Sequence, residues 1–143
     1  MALVKIVTLV CATIAPLAIA IACGGGNDVT EDERARQVGG VAELAAGAYA
    51  AAGANGLYDY LAPEVIANCS KQGLAAALAS QPVPEGFVRT SSVNFDGDTA
   101  RAKIIQRVQD GAGTKEVEAE WTFVSAGDSW RLTHVPGIEG CSR

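Results

Sequence analysis

Two hydrophobic periods divide this chain near Pro82-Val83-Pro84. Before that point, apolar residues recur at helical spacing; after it, they alternate as in strands. Thr30 with Glu33 fits a capping box and predicts a helix start, with Gly39-Gly40 expected to interrupt it. Val41, Leu44, Ala45, Ala48 and Ala52 predict the next helix, which stops at Gly53-Ala54-Asn55-Gly56. Leu57, Tyr60 and Leu61 predict another helical turn. Pro63 suits a first helical position, and Glu64 then falls in the favourable first turn. Ser70 caps a further helix whose stripe is Leu74 and Leu78.

From Phe87 the alternation predicts a four-strand meander: Phe87 to Phe95, Thr99 to Gln109, Val117 to Ser125 and Trp130 to Val135. The breaks Asp96-Gly97-Asp98, Asp110-Gly111-Ala112-Gly113 and Ala126-Gly127-Asp128 carry turn residues. A one-residue slip turns every side chain to the other face, so face composition sets the expected register. It pairs Phe95 with Ala100, Val93 with Ala102 and Phe87 with Val108. It then pairs Val108 with Val117, Ile104 with Trp121, Phe123 with Leu132 and Trp121 with His134. One face becomes apolar. The other carries Arg101, Lys103, Arg107, Glu116, Glu118 and Glu120, with Glu118 near Arg107 and with Ile105 and Val124 as apolar exceptions.

Ahead of the first helix, Ile6 to Ala22 is uncharged and mostly apolar, with Lys5 before it and Pro16 within it. A basic start, an apolar stretch and small residues at its end are the marks of a secretory signal. A spanning helix needs about 20 apolar residues, so this stretch is short for one. Ala20-Ile21-Ala22-Cys23 followed by Gly24-Gly25-Gly26-Asn27 resembles the lipobox of bacterial lipoproteins, with Ala20 where Leu is most frequent. The resemblance implies a signal peptide over 1–22 and a diacylated Cys23. It also implies a flexible tether over 23–29 and a bilayer partner outside the cytoplasm, at the cell surface or in the periplasm. Gly24 after the cysteine gives no inner-membrane retention signal in that family's sorting pattern. The remaining residues, 30–143, make one domain.

Removing Lys5 leaves the acidic side chains well in excess of a scattered basic set. Nucleic acid is an improbable partner for such a surface, because phosphate binding needs clustered Lys and Arg. Cys11 would leave with the leader and Cys23 would carry lipid. Cys69 and Cys141 then form a candidate disulfide in an oxidising compartment, the alternative being two separate thiols. One His and two distant Cys match no zinc spacing, and no cofactor or metal is implied.

Helices carrying Leu57-Tyr58-Asp59-Tyr60-Leu61-Ala62-Pro63, followed by a meander ending in Trp130-Arg131-Leu132, resemble the nuclear-transport-factor-2-like superfamily. The likeness spans Val41 to Val135. It implies an α+β fold in which a curved four-stranded antiparallel sheet wraps N-terminal helices as a cone with a cavity at its wide end. Such domains include isomerase-, dehydratase- and cyclase-type enzymes and many noncatalytic binding domains, and fold alone does not choose among them. Another small α+β sandwich is the alternative architecture.

The expected register puts Arg89 opposite Gln106, with Ser91 and His134 in the next row beside Ile104 and Trp121. Apolar walls with a few convergent polar groups suit a small molecule. Trp121 would stack on a planar ligand, Arg89 would hold a carboxylate and His134 would move a proton. Asp59, between Tyr58 and Tyr60, would be a base if buried. Each also has a plainer reading: Trp121 and His134 as packed residues, Arg89 reaching solvent, and Asp59 on an exposed turn. Three functions follow. The favoured one is a noncatalytic lipoprotein binding a small ligand or a partner protein. The others are an enzyme using Asp59 or His134, and an envelope-interaction domain with a filled core. Oligomeric state is open, although the charged sheet face argues against a dry dimer interface.

Overall fold

The computed structural model describes residues 29–143. The expected leader, Cys11 and Cys23 lie outside the described residues. The chain runs through α1 (Glu31–Ala52), α2 (Ala54–Tyr58), α3 (Pro63–Ile66) and α4 (Lys71–Leu78). Then come β1 (Pro84–Asp96), β2 (Thr99–Asp110), β3 (Gly113–Ala126) and β4 (Ser129–His134), and a short 3-10 turn over Ile138–Gly140. The fold is α+β: helices packed on one open antiparallel sheet of four strands in the order β1-β2-β3-β4. Among the described residues, no helix is long and apolar enough to cross a membrane.

Thr30 caps α1 as expected, its hydroxyl accepting from the Glu33 N–H at 3.3 Å. Glu31, Asp32 and Glu33 complement the positive end of the helix. Gly39-Gly40, expected to interrupt, lie inside one continuous helix of 22 residues. An interior glycine weakens a helix by about 1 kcal/mol, which tertiary packing offsets here. That packing uses Val38, Ala42, Ala45 and Ala46, all fully buried. The expected stripe through Leu44 is therefore rotated: Leu44 is 61% exposed. Small side chains set the helix close to the sheet, and the sheet supplies the bulk through Ile104, Trp121, Phe123 and Leu132.

The helical turn expected at Leu57, Tyr60 and Leu61 ends at Tyr58. Tyr60 to Ala62 instead run alongside β4. Leu132 donates to the Tyr60 carbonyl at 2.9 Å, and Ala62 donates to the Leu132 carbonyl at 2.7 Å. Pro63 opens α3, and Ser70 caps α4 through the Gly73 N–H at 2.9 Å. Leu74 and Leu78 are buried as expected.

The register differs in three ways. Phe95 pairs Ala100 and Val93 pairs Ala102, but β1 then slips three times, between Pro84 and Gly86, Phe87 and Arg89, and Thr90 and Ser92. Each irregularity bends the strand and moves side chains to the other face. One slip separates Arg89 from Val93 and puts it on the outer face opposite Ile105, whereas a second slip returns Phe87 to the inner face, opposite Gln106. Between β2 and β3 the turn is tighter than expected, with Asp110 opposite Gly113. That slides the pairing by an even step, so faces are kept: Ala102 meets Trp121 and Ile104 meets Ala119. A slip between Thr122 and Phe123 puts His134 opposite Thr122 rather than Trp121.

The C-terminal tail is fastened to α4. Cys69 and Cys141 are bridged, with Cα atoms 5.3 Å apart. Closing a loop of this length stabilises by about 4 kcal/mol in the chain-entropy account. The Ser70 N–H and hydroxyl both donate to the Ser142 carbonyl, at 3.1 and 3.2 Å. A Cβ on Gly73 would overlap that same carbonyl, whereas one on Gly47 would meet nothing within 4 Å. Urea unfolding should therefore separate the two positions. Gly73→Ala is expected to destabilise by about 2 kcal/mol through overpacking. Gly47→Ala is expected to stabilise by up to about 1 kcal/mol through helix propensity.

Candidate functional site

A cavity of about 390 Å³ opens where β2 and β3 run beyond the helix layer. Tyr49 of α1 forms one wall and Gln106 with Val108 of β2 another. Consecutive residues Val117 to Trp121 of β3, the departing pair Val135-Pro136 and Gln81-Pro82 after α4 complete it. The position follows from local sequence. Past Ala46 the small-residue stripe of α1 gives way to Tyr49, and Pro136 takes the chain away after β4, since proline cannot donate to a ladder.

The walls are mostly apolar, with one polar group that lacks a partner. Gln106 is 6% exposed, and its Nε2 makes no hydrogen bond among the described residues. Leaving a buried donor unpaired costs about 1–3 kcal/mol. Burial also pushes the Tyr49 phenol above its ordinary value of 10.0. The polar part of the lining is thus the neutral Tyr49 phenol, the amides of Gln106 and Gln81, and the exposed residues Glu118 and Glu120 at the rim. Among the described residues, no Lys, Arg or His side chain lines the cavity.

The other sequence-selected residues divide. Gln106 and Trp121 meet in the cavity, and Trp121 is 1% exposed. Arg89 and Ser91 do not join them. The slips in β1 carry both to the outer face, where Arg89 lies 3.8 Å from Glu116. The Ser91 hydroxyl donates to the Lys103 carbonyl at 3.3 Å and to Glu118 at 3.4 Å. Glu118 pairs with Lys103 at 3.2 Å rather than with Arg107, which lies opposite Glu116. His134 sits outside the cavity lining, its Nδ1 3.4 Å from Glu139. Asp59 is exposed and 3.5 Å from Lys71, and its backbone carbonyl accepts from Arg131 at 2.9 Å. Among the described residues, no group of three or more His, Cys, Asp or Glu gathers as for a metal ion.

Sequence reasoning passed over Tyr49, although it continues the buried spacing of Ala42, Ala45 and Ala46. It also passed over Arg34. That guanidinium stacks 4.4 Å from the Phe95 ring and 5.4 Å from Trp130, and donates to the Gly97 carbonyl at 2.6 Å. This ties the start of α1 to the β1–β2 turn. A separate cleft of about 260 Å³ lies beside it, lined by Val29, Ser125, Gly127 and Trp130 among others.

No family model matches the chain, and no curated protein does. Among solved structures, a SEC-C motif-containing protein from Rhodopseudomonas palustris is similar at 15% identity and a TM-score of 0.47. The match covers 63% of this chain and 70% of that one.

Two outcomes follow from the cavity chemistry. Gln106→Leu removes the unpaired amide at nearly constant volume. It should stabilise the unliganded protein by about 1–2 kcal/mol in urea unfolding. Tyr49 keeps its proton in the folded state at a pH where the unfolded chain has lost it. The unfolded chain then binds fewer protons, so stability falls as pH rises past the ordinary value of 10.0. Tyr49→Phe should flatten that decline, measured as unfolding midpoint against pH.

Proposed function

We propose that this protein is a lipid-anchored, extracytoplasmic binding domain that holds a ligand or partner in the β2–β3 cavity without catalysis. The observation that carries the reading is the Gln106 amide, buried and unpaired at the wall of an apolar recess. A pocket of this kind, apolar with a fixed polar group, suits reversible recognition. Binding is favoured over proton-transfer chemistry because Asp59 and His134 both lie away from the cavity lining, and the carboxylates that do border it, Glu118 and Glu120, are exposed at its rim. The cone of the nuclear-transport-factor-2-like superfamily belongs to the same proposal: helices on one sheet face, with a recess at one end of the strands, are its ingredients. Anchoring rests on Ala20-Ile21-Ala22-Cys23 alone.

The test is native mass spectrometry of the exported protein, purified as the cell processes it. A diacyl adduct lost in Cys23→Ala, together with a reproducible guest mass lost in Gln106→Leu, is the expected result. An unacylated chain in the soluble fraction overturns the anchor. A bare protein that also binds no offered guest overturns the binding reading.

A further inference from the structure

β3 is far longer than the strand beside it. β4 pairs only with Thr122 to Ala126 of β3. Gly113 to Trp121 therefore have β2 on one side and no strand on the other, among the described residues. The outer edge of β4 is partly covered by Tyr60 to Ala62, but among the described residues no backbone hydrogen bond outside the sheet reaches Gly113 to Trp121. This open edge coincides with the cavity. The lining takes five consecutive β3 residues, Val117 to Trp121, although alternate side chains of a strand point to opposite faces. A run without gaps means that the strand's edge, and not only one face, borders the recess.

We propose that the cavity and the β3 edge together receive one extended peptide segment of a partner protein, added as a fifth strand in line with β4. The proposal rests on the binding reading above and names its occupant. Charge along the sheet specifies the segment. On the outer face β2 presents Arg101, Lys103 and Arg107, and β3 presents Glu116, Glu118 and Glu120. Where β4 does cover β3, it answers with Arg131 opposite Val124, while Trp130 and Leu132 turn inward and are buried. β4 stops short of the glutamates, so the row beside Glu116, Glu118 and Glu120 on that side is empty of any strand among the described residues. Glu120 makes no ion pair among the described residues. A guest strand continuing the β4 line alternates basic residues over the glutamates with apolar residues in the recess. In the row of Val117, its inward residue carries a long side chain whose hydrogen-bond acceptor crosses beneath β3 toward the idle Nε2 of Gln106, two strand spacings away. Main-chain bonds supply affinity in such strand addition, and alternate side-chain pockets supply specificity.

The probe is an acetylated, amidated heptapeptide that alternates lysine with valine, with glutamine at the central inward position. Two isomers are N-methylated on alternate residues, one set on the amides facing β3 and the other on those facing away. Binding to the exported protein is read by tryptophan fluorescence and by hydrogen exchange. The parent peptide should bind and protect the amides of Gly113 to Trp121. One N-methyl isomer should lose binding and the other keep it. A glutamate-for-lysine counterpart should not bind, and Glu120→Lys should weaken the parent about fivefold, as exposed charge pairs allow. Equal binding by the two isomers, or by the acidic peptide, overturns the proposal. So does a dimer whose β3 amides are protected without peptide, which assigns the edge to a second copy. A bound small molecule with no peptide binding overturns the peptide occupant and leaves the binding reading standing. A bare protein that binds neither overturns both.

Discussion

The close seating of α1 on the sheet is the constraint from which the other features follow. Ala42, Ala45 and Ala46 let the helix backbone approach, so bulk must come from the strands. Trp121, Phe123, Ile104 and Leu132 supply most of it, joined in the same core by Leu57 of α2 and Leu74 of α4. The arrangement holds only where the helix offers small residues. At Tyr49 it no longer does, and the layers part. The recess is therefore the end of a packing pattern and not a hole within one.

The same division explains the two faces of the sheet. Inside, a buried polar group is conspicuous because so little else is polar. Gln106 and the Thr90 hydroxyl are the two buried side-chain polar groups with an unpartnered atom among the described residues. Thr90 faces α1 near Gly39, within the sealed layer, whereas Gln106 faces the recess. Outside, charges neutralise one another in rows across β2 and β3, and Ile105 is buried beneath the neighbouring side chains although it belongs to the outer face. A β-branched residue flanked by Arg89 and Glu118 is covered by their aliphatic stems.

Much of this was legible in advance. Caps at Thr30 and Ser70, the proline opening α3, the four strands and the hairpin turns all follow from local chemistry that tertiary structure did not override. The β2–β3 slide was missed harmlessly, because an even step preserves faces. The β1 slips were missed at a cost, because each odd step flips them, and no local signal in Arg89-Thr90-Ser91-Ser92 marks an extra residue. That is why Gln106 and Trp121 were placed in the cavity from sequence while Arg89 and Ser91 were placed on the wrong face. The stripe of α1 was misjudged for another reason. Leucine carries more weight than alanine in a hydrophobic pattern, yet close packing selected the alanines and left Leu44 in solvent.

The ends of the strands are not equivalent. Val29 shares a cleft with Ser125 and Gly127, at the end that holds the β1–β2 and β3–β4 turns. The recess lies toward the β2–β3 turn, and Ala100 to Val108 along β2 corresponds to roughly 26 Å of extended strand. The chain therefore enters the domain at one pole and opens its cavity at the other. On the proposed lipid-anchored reading this polarity would set a direction of traffic: the tether would join the pole that carries the Arg34 stack and its small cleft, and the β2–β3 recess would open at the opposite pole, away from the attachment point.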